Sequence, residues 1–161
     1  KQTSGRSIAG AIKEMTDALN GTAGVKIWTE CRVLPDRTLW LDEEIVCEVA
    51  ENILSNSLRY AEEWVQVVMD EVGGFFELYV RDDGPGFDRE GLKMAAKPYY
   101  RARDEDASEH FGIGLYICHV LCGKHGGSLA VHNSVDGGAV VTASFQASGP
   151  DGQPGGREKT S

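Results

Sequence analysis

Apolar and polar positions alternate along this chain with two different periods. Ile8, Ile12, Met15 and Leu19 recur at helical spacing, and Asn20-Gly21 closes that helix. Residues 25–33 alternate apolar with polar, as a half-buried strand does. Pro35-Asp36 marks a turn, and residues 38–41 read as a short strand. Asp42 stands where it can cap the next helix, with Glu43 and Glu44 in the first turn and apolar spacing continuing to about Ala61. Residues 64–69 and 75–81 are strands around Gly73-Gly74, a hairpin signature. Residues 88–109 are charged and weakly patterned and predict a long loop, functional or disordered. A helix follows from Ile113 to about Gly123, then strands over 128–133 and 139–145 around Asp136-Gly137-Gly138.

Helices at the start, middle and end, interleaved with hairpin-linked strands, predict an α+β fold. It is a two-layer sandwich with one mixed, mostly antiparallel sheet and helices on one face. The regular alternation of a doubly wound fold is missing. The length of 161 residues fits one domain, expected over 1–147. Residues 148–161, rich in glycine and proline, read as a disordered tail.

Composition narrows the function. The hydrophobic share of 41% is ordinary for a globular protein, and a net charge of -9 argues against nucleic acid or an anionic membrane as partner. No apolar run is long enough to span a bilayer, and the polar start carries no signal peptide. The absence of an initiator Met suggests a piece excised from a longer protein. Cys31, Cys47, Cys118 and Cys122 form no C-x-x-C pair, which suggests reduced thiols in the cytoplasm. Cys118, Cys122 and His125 share a helix face, so a metal site is one reading and plain packing the other.

The most informative stretch surrounds Asn52 and Asn56. At about 100° per residue, Glu48, Asn52, Asn56 and Arg59 fall on one side of a helix. Val46, Val49, Ala50, Ile53, Leu54, Ser57 and Ala61 cover the other. Carboxamides at that border can hold a hydrated hard cation through oxygen, and an arginine one turn on can meet a phosphate. The plain alternative is an amphipathic helix with two border amides.

Two glycine sets follow. Phe76, Leu78 and Val80 share one strand face, and period two continues it to Asp82, whose carboxylate should point inward and that of Asp83 outward. An inward carboxylate needs donors, and a ligand's exocyclic amine is one source. Gly84 and Gly86 would let a flat ring approach; the alternative is an ordinary surface turn. Gly112 and Gly114 precede a helix, where exposed N–H groups and the dipole suit phosphate, or else mark a flexible entry turn. Neither set completes G-x-G-x-x-G, and Gly123-Lys124 is followed by His125, which excludes a P-loop.

Taken in order, paired asparagines with Arg-Tyr, then D-x-G-x-G, then a long loop ending in G-x-G-L closely resemble one family. It is the ATP-binding catalytic domain (HATPase_c) of bacterial two-component sensor histidine kinases, in the GHKL ATPase superfamily. The likeness runs from about residue 8 to 147. It implies ATP and Mg²⁺ as cofactors. Asn56 matches the metal-binding asparagine, and Asn52 faces the metal-bound water and phosphates. Arg59 stands at a phosphate-contacting position, and Tyr60 matches an aromatic that packs on adenine. Asp82 matches the aspartate that takes the adenine amino group, with Gly84 and Gly86 beside the base. Gly112 and Gly114 match the glycines at the triphosphate, and Gly137-Gly138 a reduced third glycine element. Pro98-Tyr99-Tyr100-Arg101 matches the end of the F box, with Arg101 as a lid arginine. The resemblance also assigns Phe87, Tyr100, Ile113, Leu115 and Thr142 to nucleotide binding. The sequence departs from the family pattern at Ala96, where the F box usually opens with Phe, and at Tyr116, where a third glycine is frequent.

The family phosphorylates a histidine on a separate dimerisation and phosphotransfer domain, for relay to a response regulator. That histidine is usually followed by an acidic residue and begins a long helix. None of His110, His119, His125 and His132 has that setting, so the chain resembles the catalytic module without its substrate domain. In the resemblance, Asn52, Asn56, Arg59 and Arg101 carry the phosphoryl transfer. The ATP-hydrolysing gyrase and chaperone members place a glutamate four residues before the metal-binding asparagine, where Asn52 stands here. An anti-sigma-type serine kinase is the other alternative.

Overall fold

The computed structural model describes residues 1–96 and 112–149. In chain order it comprises β1 (Gln2–Ser4), α1 (Gly5–Leu19), a 3-10 turn (Thr22–Gly24), β2 (Lys26–Cys31), β3 (Thr38–Trp40), α2 (Glu43–Tyr60) and β4 (Trp64–Val72). There follow β5 (Phe75–Asp82), α3 (Arg89–Ala96), α4 (Gly112–Lys124), β6 (Ser128–Asn133) and β7 (Ala139–Gln146).

Five strands form one sheet in the order β2-β4-β5-β7-β6. β2 runs parallel to β4, and every other neighbouring pair is antiparallel. The β4–β5 hairpin turns on Gly73 and Gly74, both at positive φ, as a two-residue turn matched to strand twist requires. One sheet face is apolar by alternation. Val65, Val67 and Met69 of β4, Phe76, Leu78 and Val80 of β5, and Val141, Ala143 and Phe145 of β7 are all buried. Helices α1, α2 and α4 cover that face with Ile8 and Ile12, with Val46, Val49, Ile53 and Leu54, and with Leu115, Cys118 and Cys122. The α+β sandwich expected from the pattern is the fold observed.

Two elements depart from expectation. The first residues form β1, which pairs with β3 in a separate two-stranded sheet; three residues are too few for a period to show. Within the stretch expected to be a loop, α3 occupies Arg89–Ala96, started by Asp88, whose Oδ1 accepts the Gly91 N–H at 2.7 Å. Its opposed charges hid the helical spacing. Residues 97–111 and 150–161 lie outside the described residues, and so do Tyr100, Arg101 and nearly all of the expected tail.

Candidate functional site

Helix α2 is fixed at its start by two contacts. Asp42 caps it, its Oδ1 accepting the N–H groups of Glu44 at 3.1 Å and Ile45 at 3.4 Å. The Asp42 N–H itself donates to His125 Nε2 at 3.0 Å, just beyond the end of α4. The apolar stripe then buries Val46, Val49, Ala50, Ile53, Leu54 and Ser57. This phase leaves Asn52 and Asn56 half-buried along the helix edge and Arg59 and Tyr60 exposed near its end.

Asn56 and Tyr60 meet Asp82, Gly86, Phe87, Asp88 and Ala139 around a cavity of about 200 Å³ that opens to solvent. Asp82 is the polar floor of this cavity, 2% exposed. Its Oδ1 accepts the Gly84 N–H at 2.8 Å and the Ala139 N–H at 3.4 Å. Oδ2 takes no hydrogen bond from the described residues, which leaves an acceptor for a ligand's N–H. Burial pushes the Asp82 carboxyl above its ordinary range, opposed by the two N–H donors and helped by the neighbouring Asp83 charge. The backbone around it is tight. A Cβ on Gly84 would lie 2.3 Å from the Tyr60 carbonyl oxygen, and one on Gly138 would lie 1.9 Å from that of Asp82. Only glycines allow the end of α2, the turn after β5 and the β6–β7 hairpin to converge here.

Asp83 points the other way. It accepts from the N–H groups of Glu62 (2.8 Å), Glu63 (2.9 Å) and Trp64 (3.2 Å), tying the loop after α2 to the end of β5. Burial works to raise its carboxyl, but the donors from Trp64, Glu62 and Glu63 outweigh that and hold it below its ordinary range.

At the other end of the site, α4 begins beside α2. A Cβ on Gly114 would come within 3.2 Å of Asn52 Oδ1, while Asn52 Nδ2 donates to the Glu48 carbonyl at 2.8 Å. The first turn of α4, containing Gly112, Ile113 and Gly114, is therefore brought to the asparagine edge of α2, and the N–H groups of a helix start suit an anion.

Of the residues expected at the site, Asn56, Tyr60, Asp82, Gly86 and Phe87 line one cavity, Gly84 packs against Asp82, and Asn52 meets Gly114 one helical turn before Asn56. Two others point elsewhere. Thr142 pairs with Tyr79 on the open face of the sheet and borders a depression with Arg32, Gln66 and Glu77. The inward position nearest Asp82 is Ala139. Leu115 is 1% exposed, and its side chain belongs to the core. Asp83, Asp88 and Ala139 were missed; the doubled Asp-Asp, and the position directly after Gly137-Gly138, were the available signals.

The cysteine–histidine face packs rather than gathers donors. Cys118 and Cys122 are buried, Cys118 Sγ donates to the Val49 carbonyl at 3.5 Å, and His125 sits edge-on to Phe145 at 5.6 Å. Burial first, then nearby charges, pushes the Cys118 thiol far up, and burial pushes the Cys122 thiol up to about 12. Among the described residues no three His, Cys, Asp or Glu side chains are grouped to hold a metal.

An α+β sandwich with a buried acidic floor, an asparagine-edged helix and a glycine-led helix start defines an ATPase-type nucleotide domain. Residues 41–149 match the family described as histidine kinase-, DNA gyrase B- and HSP90-like ATPase, and the chain belongs to that family. Its relatives place it with the histidine kinases. It is 34% identical over 119 residues to the C4-dicarboxylate transport sensor protein DctB of Pseudomonas aeruginosa, covering 68% of this chain and 19% of that protein. It is 29% identical over 110 residues to the sensor histidine kinase component HK1 of Mycobacterium tuberculosis, covering 68% of this chain and 66% of that one. The chain thus spans about a fifth of DctB's length. Among solved structures, the catalytic domain of histidine kinase ThkA matches with a TM-score of 0.70 at 15% identity over 91% of this chain and 94% of that one. Full-length ShkA in complex with AMPPNP matches with a TM-score of 0.71 at 18% identity over 88% of this chain and 30% of that one.

Proposed function

We propose that this chain is the cytoplasmic catalytic part of a membrane-anchored sensor histidine kinase. It binds Mg-ATP and presents the γ-phosphate to a histidine on a separate dimerisation and phosphoacceptor domain, for relay to a response regulator. The observation that carries the reading is Asp82. A buried carboxylate holds one oxygen against Gly84 and Ala139 and keeps the other for the cavity it shares with Asn56, Tyr60 and Phe87. An adenine amine placed there donates to an acceptor that water does not reach easily, with the aromatic side chains of Tyr60 and Phe87 in the cavity wall.

The triphosphate then runs toward Asn56, Asn52 and the start of α4. A carboxamide oxygen is a hard donor suited to magnesium, which binds through few protein ligands and keeps several waters. Asn56 borders the cavity and fits that role. Held by Asn56, magnesium would supply charge neutralisation to the phosphate oxygens. Arg59 and Arg101 would add positive charge, and the N–H groups of Gly112 and Gly114 would cradle the phosphates. The incoming imidazole nitrogen attacks the γ-phosphorus while the bond to the bridging oxygen breaks and ADP leaves. Alignment and electrostatics do most of this work. Hydrolysis is the weaker reading. Asn52 occupies the place a water-activating carboxylate would need, and its amide is bonded to the Glu48 carbonyl.

Calorimetry with ATP and ADP, with and without Mg²⁺, tests this. Binding of ATP with a gain from Mg²⁺ is expected. Asn56→Ala should lose more affinity in the presence of Mg²⁺ than in its absence; equal losses would remove the metal role from Asn56.

A further inference from the structure

Strand β6 ends on Asn133, an exposed residue whose side chain turns back to a segment that pairs with no strand. Its Oδ1 accepts the Phe87 N–H at 2.8 Å, and its Nδ2 donates to the Phe87 carbonyl at 2.7 Å. A carboxamide offers the same donor and acceptor as a peptide group. Asn133 therefore supplies one rung of a β-ladder to the loop following β5. The fit is close. A Cβ on Gly86 would stand 2.8 Å from Asn133 Oδ1, and Gly86 has φ +82°. Gly86 and Phe87 both line the cavity floored by Asp82; Asn133 does not. The start of the same loop is held by Asp83, and its end passes directly into α3.

We propose that Asn133 is a positioning residue for the nucleotide site. From outside the cavity it clamps the Phe87 backbone, so that Gly86 and Phe87 stand as a fixed wall at the base end. This rests on the reading of the cavity as a nucleotide site. Without the clamp the loop samples other positions, and apparent affinity falls by the fraction of time the wall is in place. The effect belongs to the base and not to the phosphates.

The test uses the full chain and three probes: ATP, adenosine and inorganic tripolyphosphate. Asn133→Ala should bind adenosine and ATP more weakly by one common factor, roughly fivefold and at most about 150-fold for two neutral hydrogen bonds. Tripolyphosphate affinity should stay near wild type, the melting temperature should fall by only a few degrees, and the Phe87 amide should exchange faster with solvent in the ligand-free protein. A wild-type chain that binds ATP, with an Asn133→Ala variant that matches it, overturns the role of Asn133 and leaves the nucleotide reading standing. Equal losses for tripolyphosphate and adenosine would also overturn it, since they mean general loosening. A wild-type chain that binds none of the three probes would remove the nucleotide reading and this role together.

Discussion

Asp82 and Asp83 are adjacent, chemically identical and shifted in opposite directions. One faces a cavity with two N–H donors, and burial wins; the other faces a fan of three backbone N–H groups, and hydrogen bonding wins. Asp82→Asn should weaken ATP binding by roughly 1–3 kcal/mol. The amide oxygen would take the Gly84 and Ala139 N–H groups and turn the NH₂ toward the ligand's own amine. Adenosine, which has no phosphate to titrate, should bind less well as pH falls through a raised Asp82 pKa, above the ordinary aspartate value of about 3.9. Binding that needs the ionised acceptor is complete above that pKa and is lost below it, and Asp82→Asn should flatten the profile in a calorimetric series. The opposite aim of the two carboxylates was legible from period two alone. Thr142 was not, because Ala139-Val140-Val141 is apolar without a break and conceals which phase of β7 faces inward. Leu115 follows the glycines in sequence, but its burial depends on how α4 lies on α2, which local pattern does not reveal.

The elements of the site are joined by side chains spanning large sequence distances. Asp83 closes the gap between α2 and β5 and carries Tyr60 with it. Asp83→Ala should lower stability by roughly 1.5–3 kcal/mol at neutral pH, the range for lost hydrogen bonds to a charged group. Its folded pKa is depressed, so its stabilisation is present above the unfolded value of 3.8 and is lost as pH falls through the folded value. In urea melts the gap between variant and wild type should therefore close on acidification. An unchanged gap at low pH would mean that the charge is not what matters. Helix boundaries near Asp42 and Tyr60 were readable because a cap and an apolar stripe are local signals. The contacts from His125 to Asp42 and from Asn133 to Phe87 join residues 83 and 46 positions apart. No local spacing encodes such pairs.

At the scale of the whole molecule, the catalytic reading requires a nucleophile from elsewhere. His125 Nε2 is occupied by the Asp42 N–H, and His132 lies in β6. Incubation with γ-labelled ATP should leave no acid-labile phosphate on this chain, whereas stable self-labelling would reveal an acceptor within it. No helix among the described residues is long and apolar enough to cross a membrane. With a net charge of -9, selection of a nucleotide falls to the local chemistry of the cavity and not to the overall field. There the acidic floor sets a rule about which purine is tolerated. A guanine in the same pose would bring a carbonyl oxygen against the spare oxygen of Asp82, lone pair against lone pair, with no proton between them. Discrimination between the two common purine triphosphates would then come from repulsion of the wrong one as much as from attraction of the right one.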